Sequence, residues 1–275
     1  MKILEVAGKT LLLITLIFIL SLPGIFLIHL PAAGFVLQSA ALLLASFFLY
    51  ALFERNRKWP FGFKQAEWQR QFLEGAGFGA VLISVVFLLI LVTGGVQIAG
   101  VNSPASFWRS AVTSAALFIL VAVSEETLAR GYVQGLMAYR FSARTAWIAS
   151  SVFFALLHGL NPGVWDQPFS MLNIFLAGML LAIYRTGSGG LWGPIGLHFT
   201  WNFFQGTVFG FQVSGIPITS LFRLEPVGDA VISGGEFGAE GSLFSTMVLI
   251  AGIYYTHRRS LRSAEDPGES GRGKD

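Results

Sequence analysis

Two adjacent carboxylates and an arginine stand inside a long apolar stretch of this chain. The segment VAVSEETLARGYV carries them as Glu125, Glu126 and Arg130. At the centre of a membrane-spanning helix each charge costs roughly 2.5–3.5 kcal/mol, so three together call for a physical reason. Glu126 and Arg130 are an i, i+4 pair, share a helix face and can form an ion pair. Glu125 points about 100° away from that face and has no partner on its own helix. Helical geometry therefore makes Glu126 and Arg130 a structural pair. It leaves Glu125 as the reactive carboxylate, aimed into a bundle.

Two further fragments supply complementary groups. FALLH sets Phe154 four residues before His158, and HFTWN sets His198 four residues before Asn202. The chain has 4 histidines. His29 and His257 fall at the ends of apolar segments, whereas His158 and His198 lie where they can reach the depth of Glu125. There are no cysteines, so thiol nucleophiles, thiolate metal sites and disulfides are excluded. No serine stands in a Gly-x-Ser-x-Gly setting, and no Ser–Lys pair is evident. What remains is a carboxylate, two imidazoles and a carboxamide. A carboxylate in a low-dielectric site is suited to take a proton from water, and an imidazole beside it can orient that water. A second imidazole with an amide can donate to a developing oxyanion. Alternatively, Glu125, His158 and His198 could hold a divalent metal such as zinc, with water in the fourth position. Both routes end in hydrolysis of an amide or ester. Phe154 offers neither proton nor lone pair and is read as packing near the site. Tyr132, seven residues after Glu125 and on its face, is a candidate for lining it.

The elements that must position these groups are helices in a bilayer. The chain is 54% hydrophobic and only 12% charged, with a mean hydropathy of +0.66; a soluble chain carries about 25% charged residues. Apolar runs lie at roughly 10–30, 33–53, 72–97, 110–137, 145–161, 169–185, 190–211 and 242–257. The fold expected is an all-α, polytopic transmembrane bundle of about eight spans. The first run is too long for a signal-peptide core and is read as an uncleaved span. The basic segment ERNRKWPFGFKQAEWQR should be cytoplasmic, which puts both termini inside. On that reading residues 1–109 hold the first spans and the basic loop, and residues 110–211 hold the catalytic core. Residues 212–257 hold an external loop and the last span. The tail 258–275 is polar and read as disordered and cytoplasmic. Gly131, Gly135, Gly178, Gly193 and Gly196 are read as letting helices approach closely.

The three motifs together resemble those of the CAAX protease and bacteriocin-processing family of intramembrane endopeptidases, known as CPBP or Abi, which includes the type II CAAX prenyl protease. The family's Glu-Glu-x-x-x-Arg, Phe-x-x-x-His and His-x-x-x-Asn appear here as Glu125-Glu126 with Arg130, Phe154 with His158, and His198 with Asn202. The resemblance runs from about 110 to 211. It implies an α-helical intramembrane protease of the cell membrane. The first Glu and the second-motif His would activate water, and the last His and Asn would stabilise the oxyanion. The family has also been called a metalloprotease family, so the metal stays open. One departure is GLNPG directly after His158, which places a turn there, because Pro162 stops or kinks a helix.

The partners expected are the lipid bilayer and a membrane-associated peptide or protein, and no nucleic acid. Two other function classes use the same residues. Intramembrane Glu and His also build proton relays in carriers, although no inverted repeat is visible. A non-catalytic membrane scaffold or immunity protein would need no intact Glu–His–His–Asn set.

Overall fold

The computed structural model of the protein describes residues 1–27, 29, 31–56 and 59–265. Arg57 and Lys58 of the basic loop and residues 266–275 of the tail lie outside the described residues. Every apolar run becomes a helix. In chain order these are α1 (Lys2–Ser21), α2 (Pro31–Leu49), α3 (Trp68–Val92), α4 (Pro104–Glu126), α5 (Gln134–Arg140), α6 (Ala143–Leu157), α7 (Ser170–Ser188) and α8 (Trp192–Asn202). A short α9 (Ala230–Ser233) and a long α10 (Leu243–Glu265) follow. A wide π-helical turn, Thr127–Val133, joins α4 to α5 without a break, and a second, Phe203–Phe209, extends α8.

The protein is an all-α bundle, as expected. Among the described residues six helices are long and apolar enough to cross a membrane, the α4–α5 unit counting as one. The segments from Trp192 to Phe209 and from Leu243 to Glu265 occupy the other two expected spans without reaching that standard. In α10 the reason is His257-Arg258-Arg259, which follows a short apolar stretch. The helix also runs on to Glu265, into the tail that was expected to be disordered from 258. Arg259 Nη2 donates to Glu74 Oε2 on α3 at 2.8 Å and ties this stretch down. The one sheet among the described residues is an antiparallel pair, β1 (Val96–Val101) with β2 (Phe222–Pro226).

Ion pairs show which ends lie together. Arg140 at the end of α5 pairs with Glu5 on α1. Lys9 of α1 pairs with Glu54, which is fully buried just after α2. Arg259 of α10 reaches the start of α3. The N-terminal turn, the basic loop and the end of α10 thus share one end of the bundle, where the charge pattern expects cytoplasm.

Packing is closest between α3 and α8, and it is glycine that permits it. A methyl on Gly79 would sit 2.3 Å from the Leu197 carbonyl oxygen, and one on Gly75 2.0 Å from that of Gly193. From the other side, a methyl on Gly196 would lie 2.2 Å from the Phe72 oxygen. Gly178 likewise meets Ser151 across α6 and α7. The expected role of Gly178 and Gly196 therefore matches the packing, whereas a methyl on Gly193 would meet the Tyr184 ring of α7 at 3.1 Å. Gly131 and Gly135 differ: they receive rings of the basic loop, Phe61 and Trp59, where an added methyl would come within 2.6 and 2.1 Å. No helix neighbour fills those positions because the loop folds back against the bundle. Its rings stack on one another and on Phe47 of α2.

Backbone cannot yield to a side chain as another side chain can. Gly79→Val should therefore lower the stability of the detergent-solubilised protein by about 3 kcal/mol or more. Thermal unfolding checks this, and an unchanged midpoint would remove glycine from its place as the α3–α8 contact.

Candidate active site

The three motifs converge on one cavity of about 420 Å³. Glu125 comes from α4, His158 from the turn after α6, and His198 and Asn202 from α8; all four line it. The chain turns at His158 as GLNPG predicts: α6 ends at Leu157, and His158–Leu160 form one 3-10 turn. Polar residues of α2, Gln38 and Ser39, face the same space.

Glu125 Oε2 is buried and has no hydrogen-bond partner among the described residues. It stands 3.8 Å from His158 Nε2 and 3.9 Å from His198 Nε2. These distances are too long for direct hydrogen bonds.

Each imidazole is oriented from behind. His158 Nδ1 lies 2.9 Å from the Phe154 carbonyl oxygen. That oxygen can only accept, so Nδ1 carries the proton and Nε2 turns a lone pair toward Glu125. His198 Nδ1 lies 3.0 Å from Glu126 Oε1, which fixes its ring in the same sense. Glu126 also accepts from Arg130 Nη1 at 3.1 Å, and both side chains are fully buried. The ion pair expected from sequence is present. Its second task, holding His198 across the bundle, is not visible from helical spacing.

Phe154 is more than filler. The Arg130 guanidinium lies 4.3 Å from the centre of its ring, and the His158 ring centre is 4.6 Å away. Its ring therefore balances a buried cation, and its carbonyl orients a histidine. Arg130 Nη2 donates to the Gly178 carbonyl at 3.1 Å, which adds α7 to the same node.

Tyr132 is placed elsewhere. It is fully buried, packs with Trp59 at 6.3 Å between ring centres, and does not line the cavity. The π-helical turn Thr127–Val133 takes more residues per turn than an α-helix, so the face shared with Glu125 has rotated away by Tyr132. Spacing alone gave no sign of that turn.

Sequence reasoning also missed a cap. The connection after α8, expected only as an external loop, folds over the cavity. Val213, Ser214, Ile216, Ile218 and Glu240 form part of the wall. Asn173 of α7 holds this cap: its Nδ2 donates to the carbonyls of Glu240 and Ser242 at 2.7 and 2.8 Å.

Zinc bonds of about 2.0–2.1 Å would bring tetrahedral donor atoms to roughly 3.4 Å apart. Glu125 and the two imidazoles are spaced wider, at 3.8 and 3.9 Å. Among the described residues no group of three or more His, Asp or Glu side chains is arranged to hold a metal ion. The residues expected as a metal set, Glu125, His158 and His198, do not fit one as they stand.

Residues 105–204 match the family model described as Rce1-like, type II CAAX prenyl endopeptidase Rce1-like. The resemblance read from the motifs is thereby shown for the segment that holds them. It is a protease family whose substrates are membrane-associated proteins. No curated protein matches the chain.

Removing Glu126 would leave Arg130 as an uncompensated buried charge. Glu126→Ala should cost about 3–5 kcal/mol of stability, measured by thermal or denaturant unfolding in detergent. A loss below about 1 kcal/mol would mean that the pair does not hold the bundle.

Proposed function

We propose that this Rce1-like core is an intramembrane endopeptidase of the cell membrane, in which Glu125 and His158 activate water and His198 and Asn202 stabilise the oxyanion. The observation that carries the reading is the unpartnered, buried Glu125 Oε2 facing the Nε2 atoms of both histidines in one cavity.

The water sits between Glu125 and His158. The His158 Nε2 lone pair accepts one water hydrogen, and the Glu125 carboxylate takes the other as the oxygen attacks the peptide carbonyl carbon. The carbonyl π electrons move to oxygen. Asn202 donates to that oxyanion from its carboxamide. His198 donates from Nε2 as an imidazolium, with Glu126 against its Nδ1. Before attack the negative charges of Glu125 and Glu126 are balanced by Arg130 and His198, and after it the oxyanion replaces the charge of Glu125, as a low-dielectric site demands. The proton on Glu125 then passes to the departing amine nitrogen, so one water and one peptide bond give an acid and an amine. The substrate is a membrane-associated chain, of CAAX-like or leader type.

The decisive experiment compares membrane and secreted peptides of cells carrying the wild-type protein or Glu125→Ala. A peptide terminus that disappears with Glu125→Ala, at equal protein abundance, identifies both reaction and substrate. Identical profiles would overturn the reading. With that substrate, Glu125→Ala and His158→Ala should each lower kcat at least 10²-fold. Asn202→Ala should cost on the order of 10²-fold. A metal chelator should leave cleavage unchanged; loss that zinc restores would replace water activation by the carboxylate with a metal route.

A further inference from the structure

The cavity wall carries a second carboxylate that hydrolysis does not use. Glu240 sits on the 3-10 turn Ala239–Gly241 of the cap and is half-buried. Its Oε2 accepts from the backbone N–H and the hydroxyl of Ser214, both at 2.9 Å. Ser214 has a φ of +49°, a conformation that residues with a side chain rarely adopt, and the two bonds to Glu240 brace it. Asn161 Nδ2 donates to the Ser214 carbonyl at 3.4 Å, and Asn161 lies on the turn that begins with His158. Glu240 is thus joined through Ser214 to the segment carrying a catalytic histidine. From the other side, Asn173 grips the Glu240 carbonyl, and Thr246 of α10 donates to Asn173 Oδ1 at 2.6 Å. The carboxylate is fixed in place, with Oε1 left without a protein partner among the described residues.

Charge completes the pattern. The carboxyl side chains on the cavity wall are Glu125 and Glu240, and among the described residues no lysine or arginine lines it. Arg130 is fully buried behind the wall and committed to Glu126, Gly178 and Phe154. Apart from the His198 imidazolium, which already faces Glu125, an acidic substrate group would meet no cation here and would lose its water shell against two carboxylates. A basic side chain would meet an acceptor already held in position, which spares the cost of ordering it.

We infer that the chamber selects peptides with a lysine or arginine side chain near the bond that is cut, and that Glu240 is the specificity residue that receives it. This rests on the hydrolytic reading of the chamber. The alternative is that Glu240 only staples the cap through Ser214.

The test uses the purified full chain and internally quenched apolar decapeptides in which a single lysine or norleucine is moved through each position. Wild-type protein should prefer lysine over norleucine at one position by roughly tenfold in kcat/KM. Glu240→Gln keeps an oxygen for Ser214 but loses the charge, and its preference should fall to near unity. Glu240→Lys should favour glutamate at the same position. Each figure is a ratio within one protein, so a smaller folded fraction cancels. Equal ratios in wild type and Glu240→Gln would overturn the inference and leave Glu240 as a staple. If no peptide is cleaved, the hydrolytic reading is what fails. Thermal stabilisation of the same proteins by the same peptides then decides the charge preference. Stabilisation by lysine peptides alone, lost in Glu240→Gln, sustains it, and equal stabilisation overturns it.

Discussion

A single buried carboxylate holds the functional part of this bundle together. Glu126 is fully removed from solvent and accepts from both Arg130 and His198. Arg130 in turn reaches the backbone of α7 and the ring of Phe154 on α6. Four helices thus meet at one ion pair. A buried charge is tolerable only when paired, so the helices cannot slide without parting Glu126 from Arg130 and His198. The adjacent Glu125 inherits a fixed position from that constraint without sharing the partners. One carboxylate of the pair is tied to Arg130, and the other lines the cavity.

The surrounding packing delivers the histidines to that point. α8 lies on α3 through glycines, so His198 is set by backbone contact and not by adjustable side chains. α6 ends where His158 begins, and the turn lets its imidazole bond back to the Phe154 carbonyl. A π-helical turn follows Glu126, and another follows Asn202. Such turns cluster at functional sites because they re-aim side chains without breaking a helix. Here the first one also sends Tyr132 toward Trp59 and away from the cavity.

The cap divides the chamber's labour. The helices supply the groups suited to hydrolysis, and the loop after α8 supplies a wall whose polar residues are fixed by Asn173 and by each other. Loops are where specificity is commonly built, because they vary without disturbing the scaffold that carries them. A fixed acid on that wall, facing a space that no lysine or arginine lines among the described residues, gives the substrate a sign of charge to satisfy.

The helices, their order, the Glu126–Arg130 pair and the candidate set of Glu125, His158, His198 and Asn202 that lines one cavity could all be read from the sequence. Each depends on local spacing or on the cost of charge in an apolar run, and both are written along the chain. The destination of Gly131 and Gly135, the displacement of Tyr132 and the link from Glu126 to His198 could not. The first depends on a loop folding back, the second on one turn changing its pitch, and the third on two residues far apart in sequence meeting across the bundle. The cap was the least legible part, because its few short elements carry no periodic pattern. Its place over the cavity is fixed by Asn173, Ser214 and Glu240, whose hydrogen bonds exist only once the helices have come together.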